Sequence, residues 1–145
     1  MERVKKVVVD ASVVARWFVK EEDYEKALEV RRDYERGLID IIAPQLLIYE
    51  VTNALRYCPE LEMKDIVDSA ISLIHMQLDL RTMDEELVKR TVDAAYTYKA
   101  SVYDSCYYAL AKILKIKLLT ADRKLYEKVH EPDVVLLTKY DQSAI

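Results

Sequence analysis

Short β-branched or apolar runs alternate with helical periodicities along the whole chain, and that alternation leaves few folds open. Val7, Val8 and Val9 form a run suited to a buried strand. Val13, Val14, Trp17 and Phe18 then recur at helical spacing. Tyr24, Ala27, Leu28 and Tyr34 mark a second helix, with Gly37 where a helix terminates. Residues 38–43 read as a strand stopped by Pro44, which also suits the start of a helix running to about Tyr57. Pro59 breaks that helix, and Ile66, Val67, Ala70, Ile71 and Ile74 define a longer one. Residues 78–82 suit a short strand, and Thr82 with Glu85 has the spacing of a capping box. The helix that follows carries Leu87, Val88, Val92, Ala95 and Tyr96. Residues 101–114 read as a helix, 117–120 as a strand, 123–129 as a short helix and 134–137 as a last strand.

Strands separated by helices require a parallel sheet covered on both faces. The expected fold is therefore three-layer α/β/α, with about four to five parallel strands flanked by helices. The 145 residues suit one domain spanning 1–145, with no repeat, linker or low-complexity segment. Sites in such folds lie beyond the carboxyl ends of the strands.

Two acids stand at such places. Asp10 directly follows Val7–Val9, and Asp122 follows Leu118, Leu119, Thr120 and Ala121. Each also suits the ordinary role of a helix N-cap. Glu50 lies inside a helix, with Leu46, Leu47, Asn53 and Ala54 as its surface neighbours. A carboxylate on so apolar a face is costly unless it is paired or bound to a cation. A functional role thus outweighs a buried ion pair. Asn53, the chain's one asparagine, is positioned either to orient Glu50 or a metal-bound water, or to face solvent. Asp104 opens a helix that is apolar almost all round, and Ser101-x-x-Asp104 also has the form of a variant capping box.

Taken together, the four acids point to hard divalent cations. Crowded carboxylates repel one another and protonate unless a cation intervenes. Mg²⁺ prefers oxygen ligands and keeps several waters, and such ions activate water in phosphodiester hydrolysis. His75 and His130 have no partner at zinc-site spacing. Cys58 and Cys106 form no Cys-x-x-Cys motif and read as two buried free thiols in a reduced cytoplasm.

The net charge of −4 argues against a nucleic-acid binder with a basic surface. Bound metals supply positive charge that a residue count omits. No apolar run approaches the roughly 18 residues of a membrane span. The first ten residues begin with charges and lack a signal peptide's apolar stretch and cleavage site. A 33% share of charged residues and a single glycine suggest a thermophile.

At the same residues the chain resembles the PIN-domain nucleases, particularly the VapC-type toxins of toxin–antitoxin pairs. Val8-Val9-Asp10-Ala11-Ser12 with Trp17-Phe18 is similar to that family's first motif, and Glu50-Val51-Thr52-Asn53-Ala54-Leu55 to its second. Tyr103-Asp104-Ser105-x-Tyr107-x-Ala109-Leu110-Ala111 is similar to the third, and Leu119-Thr120-Ala121-Asp122-Arg123-Lys124-Leu125 to the fourth. Each motif is loose singly; four in order are a strong signal.

The resemblance implies metal-dependent endoribonuclease activity, with Mg²⁺ or Mn²⁺ held by Asp10, Glu50, Asp104 and Asp122. It implies Ser12 and Thr120 as supporting hydrogen-bond residues, a homodimer, and a small antitoxin binding across the acidic site. The absence of a zinc ribbon favours the compact toxin-like branch over the PIN proteins of ribosome maturation. Arg16, Arg123 and Lys124 lie near the site segments as candidate RNA phosphate contacts, or as ordinary solvated charge. Carboxylates without a general-base histidine suggest in-line attack by metal-activated water, leaving a 3′-hydroxyl and a 5′-phosphate.

Two rivals remain. A haloacid-dehalogenase-type phosphatase would use Asp10 as nucleophile but expects a second Asp where this chain has Ser12. A non-catalytic PIN-like module binding RNA or a protein partner has no need of Glu50 on an apolar face.

Overall fold

The computed structural model describes residues 4–145; the charged start of the chain through residue 3 lies outside them. Five parallel strands form the central sheet: β1 (Lys5–Val9), β2 (Ile39–Pro44), β3 (Asp79–Arg81), β4 (Lys117–Thr120) and β5 (Val134–Leu136). Helices α1 (Ala11–Ala15), α2 (Tyr24–Glu35), α3 (Leu46–Arg56), α4 (Met63–His75), α5 (Glu85–Tyr98), α6 (Val102–Leu114) and α7 (Arg123–Val129) connect and flank them. This is the α/β/α architecture that the alternating sequence signals require.

The strand order is β3-β2-β1-β4-β5. From β1 the chain winds outward through β2 and β3, then returns to the other side of β1 for β4 and β5. The register pairs Val8 with Ile42 on one side and with Leu118 on the other. A strand at this position touches protein on both faces, so Val7, Val8 and Val9 are all fully buried. The reversal of winding opens a crevice between the carboxyl ends of β1 and β4. The backbone N–H of Asp10 still donates to the Leu119 carbonyl (3.3 Å), which holds those two ends together.

Helix α6 is buried from Ser105 through Ala111, because it packs against α5 while resting on β1, β2 and β4. That explains its nearly uniform apolar surface. The α3 helix buries Leu47, Val51 and Leu55 and packs against α1 and α4. By contrast, α4 fully buries only Leu73 and leaves Val67, Ile71 and Ile74 exposed.

Four local expectations change. Pro44 is the last residue of β2 rather than the opening of a helix; α3 begins at Leu46. β1 pairs no further than Ile42, so the missing N–H of Pro44 leaves no gap in that ladder. The cap of α5 is Asp84, whose side chain accepts from the Leu87 N–H (2.8 Å), and Thr82 lies outside the helix. Asp104 is the third residue of α6, after the N-cap Ser101. Both cysteines are free, but only Cys106 is buried; Cys58 is half-buried. Gly37 does terminate its helix. At φ +74° it allows a Schellman closure, with Leu38 N–H donating to the Asp33 carbonyl and Gly37 N–H to the Tyr34 carbonyl.

Candidate active site

The four acids arrive from four separate segments and line one cavity of about 320 Å³ at the crevice beside β1 and β4. Asp10 follows β1, Glu50 sits mid-way along α3, Asp104 lies in the first turn of α6, and Asp122 follows β4. Ala11, Ser12, Ala15, Arg16, Glu21, Ala54 and Tyr107 complete the lining.

Two of these acids also serve as helix caps. Asp10 caps α1 by accepting from the Ser12 N–H (3.1 Å). It accepts from the Ser12 hydroxyl as well, and from the Thr120 hydroxyl at 2.5 Å. Asp122 caps α7 by accepting from the N–H groups of Lys124 (2.9 Å) and Leu125 (3.2 Å). For these residues the cap and the site are one geometry, because a strand's carboxyl end is also the next helix's entry. Glu50 and Asp104 cap nothing through their carboxylates; Asp104 is itself the residue whose N–H donates to Ser101 Oγ (3.0 Å).

The supporting hydroxyls knit the two strand ends. Ser12 Oγ accepts from the Ala121 N–H (2.9 Å), and Thr120 Oγ1 accepts from the Asp122 N–H (3.0 Å) while donating to Asp10. Thr120 is wholly buried, so its loss leaves groups that water cannot reach. Thr120→Val is expected to destabilise the protein by about 1–3 kcal/mol, the usual cost of stranding a buried hydrogen-bonding group. A urea midpoint equal to the parent's would show that this relay carries no weight.

Burial and mutual repulsion make the charged state of these acids expensive. Burial pushes Asp10 up to about 6, against the pull of the Ser12 and Thr120 hydrogen bonds, with Asp122 and Asp104 adding repulsion. Glu50 is raised by burial and by Asp104, and held down by Tyr107. Asp104 is raised by burial and by Asp122, and held down by Ser101 and Lys128. A divalent cation reverses this cost, and an all-oxygen donor set suits a hard ion. The donor set therefore fits Mg²⁺ or Mn²⁺. Among the described residues no three acid, histidine or cysteine side chains close on a single coordination point.

The remaining candidates divide. Arg16 lines the cavity, but Nη1 donates to the Ser12 carbonyl (2.6 Å), Nε to the Glu22 carbonyl (2.7 Å), and Nη2 pairs with Glu21 (3.6 Å). It thereby ties α1 to the loop behind it. Arg123 and Lys124 are exposed and lie outside the lining; the cation whose charge bears on Asp104 is Lys128 of α7. Asn53 is exposed and lines a different groove, with Ile48, Tyr49, Thr52, Arg56 and Ile66. Three residues along a helix rotate a side chain about 60° short of a full turn, four about 40° past it. Ala54, on the other flank of Glu50, therefore faces the cavity instead. Glu21 and Tyr107 carried no assigned role in the sequence reading. Tyr107 was detectable as the residue one turn beyond Asp104; nothing local marks Glu21, whose place depends on a loop.

Fold and site define an α/β domain with an acidic centre at the switch point of a parallel sheet. Residues 7–131 match the PIN domain, and the chain belongs to that family. It is 32% identical over 130 residues to Ribonuclease VapC3 of Pyrobaculum aerophilum, covering 85% of this chain and 94% of that one. A toxin–antitoxin complex from Klebsiella pneumoniae contains a chain with the same fold, at a TM-score of 0.67 and 17% identity over 90% of this chain and 97% of that chain. VapC20 of Mycobacterium tuberculosis, described as a sarcin-ricin loop cleaving toxin, superposes at a TM-score of 0.63 with 13% identity, over 83% of this chain and 93% of that one.

Proposed function

We propose that this chain is a Mg²⁺- or Mn²⁺-dependent endoribonuclease, the toxin of a toxin–antitoxin pair, acting as one domain in the cytoplasm. The observation that carries the reading is that Asp10, Glu50, Asp104 and Asp122 all line one cavity. The ribonuclease name of a 32%-identical relative supports RNA as substrate. A divalent cation held by these carboxylates would supply Lewis acidity and lower the cost of activating water. Ser12 and Thr120 hold Asp10 in a single orientation. Lys128 stands near Asp104, suited to meeting a phosphate that approaches the acids. The products are a 3′-hydroxyl and a 5′-phosphate.

An antitoxin partner is supported by the toxin–antitoxin complex among the structural neighbours. For a homodimer, α5 offers an exposed stripe of Val88, Val92 and Tyr96.

Purified protein incubated with mixed single-stranded RNA and Mn²⁺ or Mg²⁺ is expected to cut it, with EDTA stopping the reaction and the products carrying 5′-phosphates. Cleavage that survives EDTA, or products ending in cyclic phosphate, would overturn the metal-dependent mechanism.

A further inference from the structure

Tyr107 carries a hydroxyl that is buried and has no hydrogen-bond partner among the described residues. The whole residue is only 1% exposed, yet it lines the acid cavity. A buried donor without a partner costs folded stability. A phenylalanine ring would fill the same space without that cost, so packing does not account for the oxygen. Among the described residues two other buried hydroxyls lack partners, those of Thr91 and Ser105, and neither lines the cavity.

The neighbour that matters is Glu50. Glu50 lines the same cavity, and it is the acid beside which the unpaired phenol is set. Two of the other acids have donors of their own: Ser12 and Thr120 for Asp10, and the Lys124 and Leu125 amides for Asp122. For Glu50, Tyr107 is the hydroxyl on the same cavity wall that is free to donate.

We propose that Tyr107 is a positioning residue whose hydroxyl donates to the Glu50 carboxylate and fixes the orientation in which that carboxylate meets a divalent cation. The assignment rests on the reading of the acid cavity as a cation site. Carboxylates that bind metals are themselves hydrogen-bonded, and removing such a partner typically weakens metal affinity or activity by about 10–100-fold.

The test is Tyr107→Phe, followed by melting temperature in EDTA, Mn²⁺ affinity from the paramagnetic resonance signal of free Mn²⁺, and the Mn²⁺ concentration that half-saturates RNA cleavage. The variant is expected to melt at or above the parent, because it loses an unpaired buried polar group. Its Mn²⁺ affinity is expected to fall roughly tenfold or more, with half-saturation rising in step. In a Glu50→Gln background, Tyr107→Phe should then add little, because the two act through one ligand. Unchanged Mn²⁺ affinity would overturn the proposal. So would a lowered melting temperature with intact affinity, or an undiminished penalty in the Glu50→Gln background. Parent protein that binds Mn²⁺ but cuts no RNA would remove the ribonuclease reading alone, and the affinity comparison would still decide the role of Tyr107. Parent protein that binds no Mn²⁺ would remove both.

Discussion

Asp104→Asn is expected to slow RNA cleavage at least about a hundredfold, the scale on which loss of one preorganised site group usually registers. The substitution keeps the shape of the side chain and removes its charge. The N-cap of α6 should survive, because that bond runs from the Asp104 backbone N–H to Ser101 Oγ and does not use the carboxylate. Asp104 is half-buried in the cavity and already disfavoured as an anion by burial and by Asp122. Neutralising it therefore relieves repulsion in the metal-free protein, so the melting temperature in EDTA should hold or rise. Initial rates and melting curves on the same preparation check both halves. Full activity in Asp104→Asn would mean that the acids at this cavity are not the nuclease centre. A collapse of stability would mean that Asp104 has a structural task absent from its hydrogen bonds.

The second large effect is on stability against pH. The Asp10 carboxyl is pushed up from the usual 3.8 to about 6 in the folded protein. A folded-state value above the unfolded one means that the folded form holds the proton more tightly. That contribution is fully present below about pH 4 and is lost as pH rises through about 6. A shift of about two units corresponds to about 3 kcal/mol for this fully buried group. Glu50 and Asp104 shift in the same direction and reinforce the trend.

Metal-free protein should therefore lose stability across this window. Mn²⁺ should restore it at higher pH, because the cation binds the deprotonated, folded site. In melts at about pH 5 and pH 8, the Mn²⁺-induced rise should be clearly larger at the higher value, where protons no longer compete. Asp10→Asn should flatten the metal-free profile. Equal Mn²⁺ shifts at both pH values, or an unchanged profile in Asp10→Asn, would contradict this account.

Much of the candidate site is legible in the sequence because its signals are local. Asp10 and Asp122 stand immediately after apolar strand runs, and the carboxyl end of a parallel strand is a defined place in the fold. Glu50 was legible because helical spacing sets it among Leu46, Leu47 and Ala54. The supporting hydroxyls Ser12 and Thr120 were legible through the motifs around them, and both bond to Asp10. Asn53 shows the limit of such reasoning. Spacing puts it beside Glu50, but the rotation of α3 against α1 and α4 turns it toward another groove. Arg16 shows a second limit. Besides Glu21, its partners are carbonyls of Ser12 and Glu22, and no side-chain pattern announces a backbone acceptor. The guanidinium is therefore engaged within the protein.

The sequence by itself determined the kind of sheet, the number of layers and the residue types that the candidate site offers. Periodicity reports which faces of each element must be buried, and residue type reports which atoms the centre can offer. Only the tertiary structure decided that β1 is central, that the winding reverses between β1 and β4, and that residues 10, 50, 104 and 122 line one cavity. Strand order and helix rotation depend on contacts between residues far apart in the chain. Their free energy comes from packing that exists only once the layers are assembled, and no local pattern carries it.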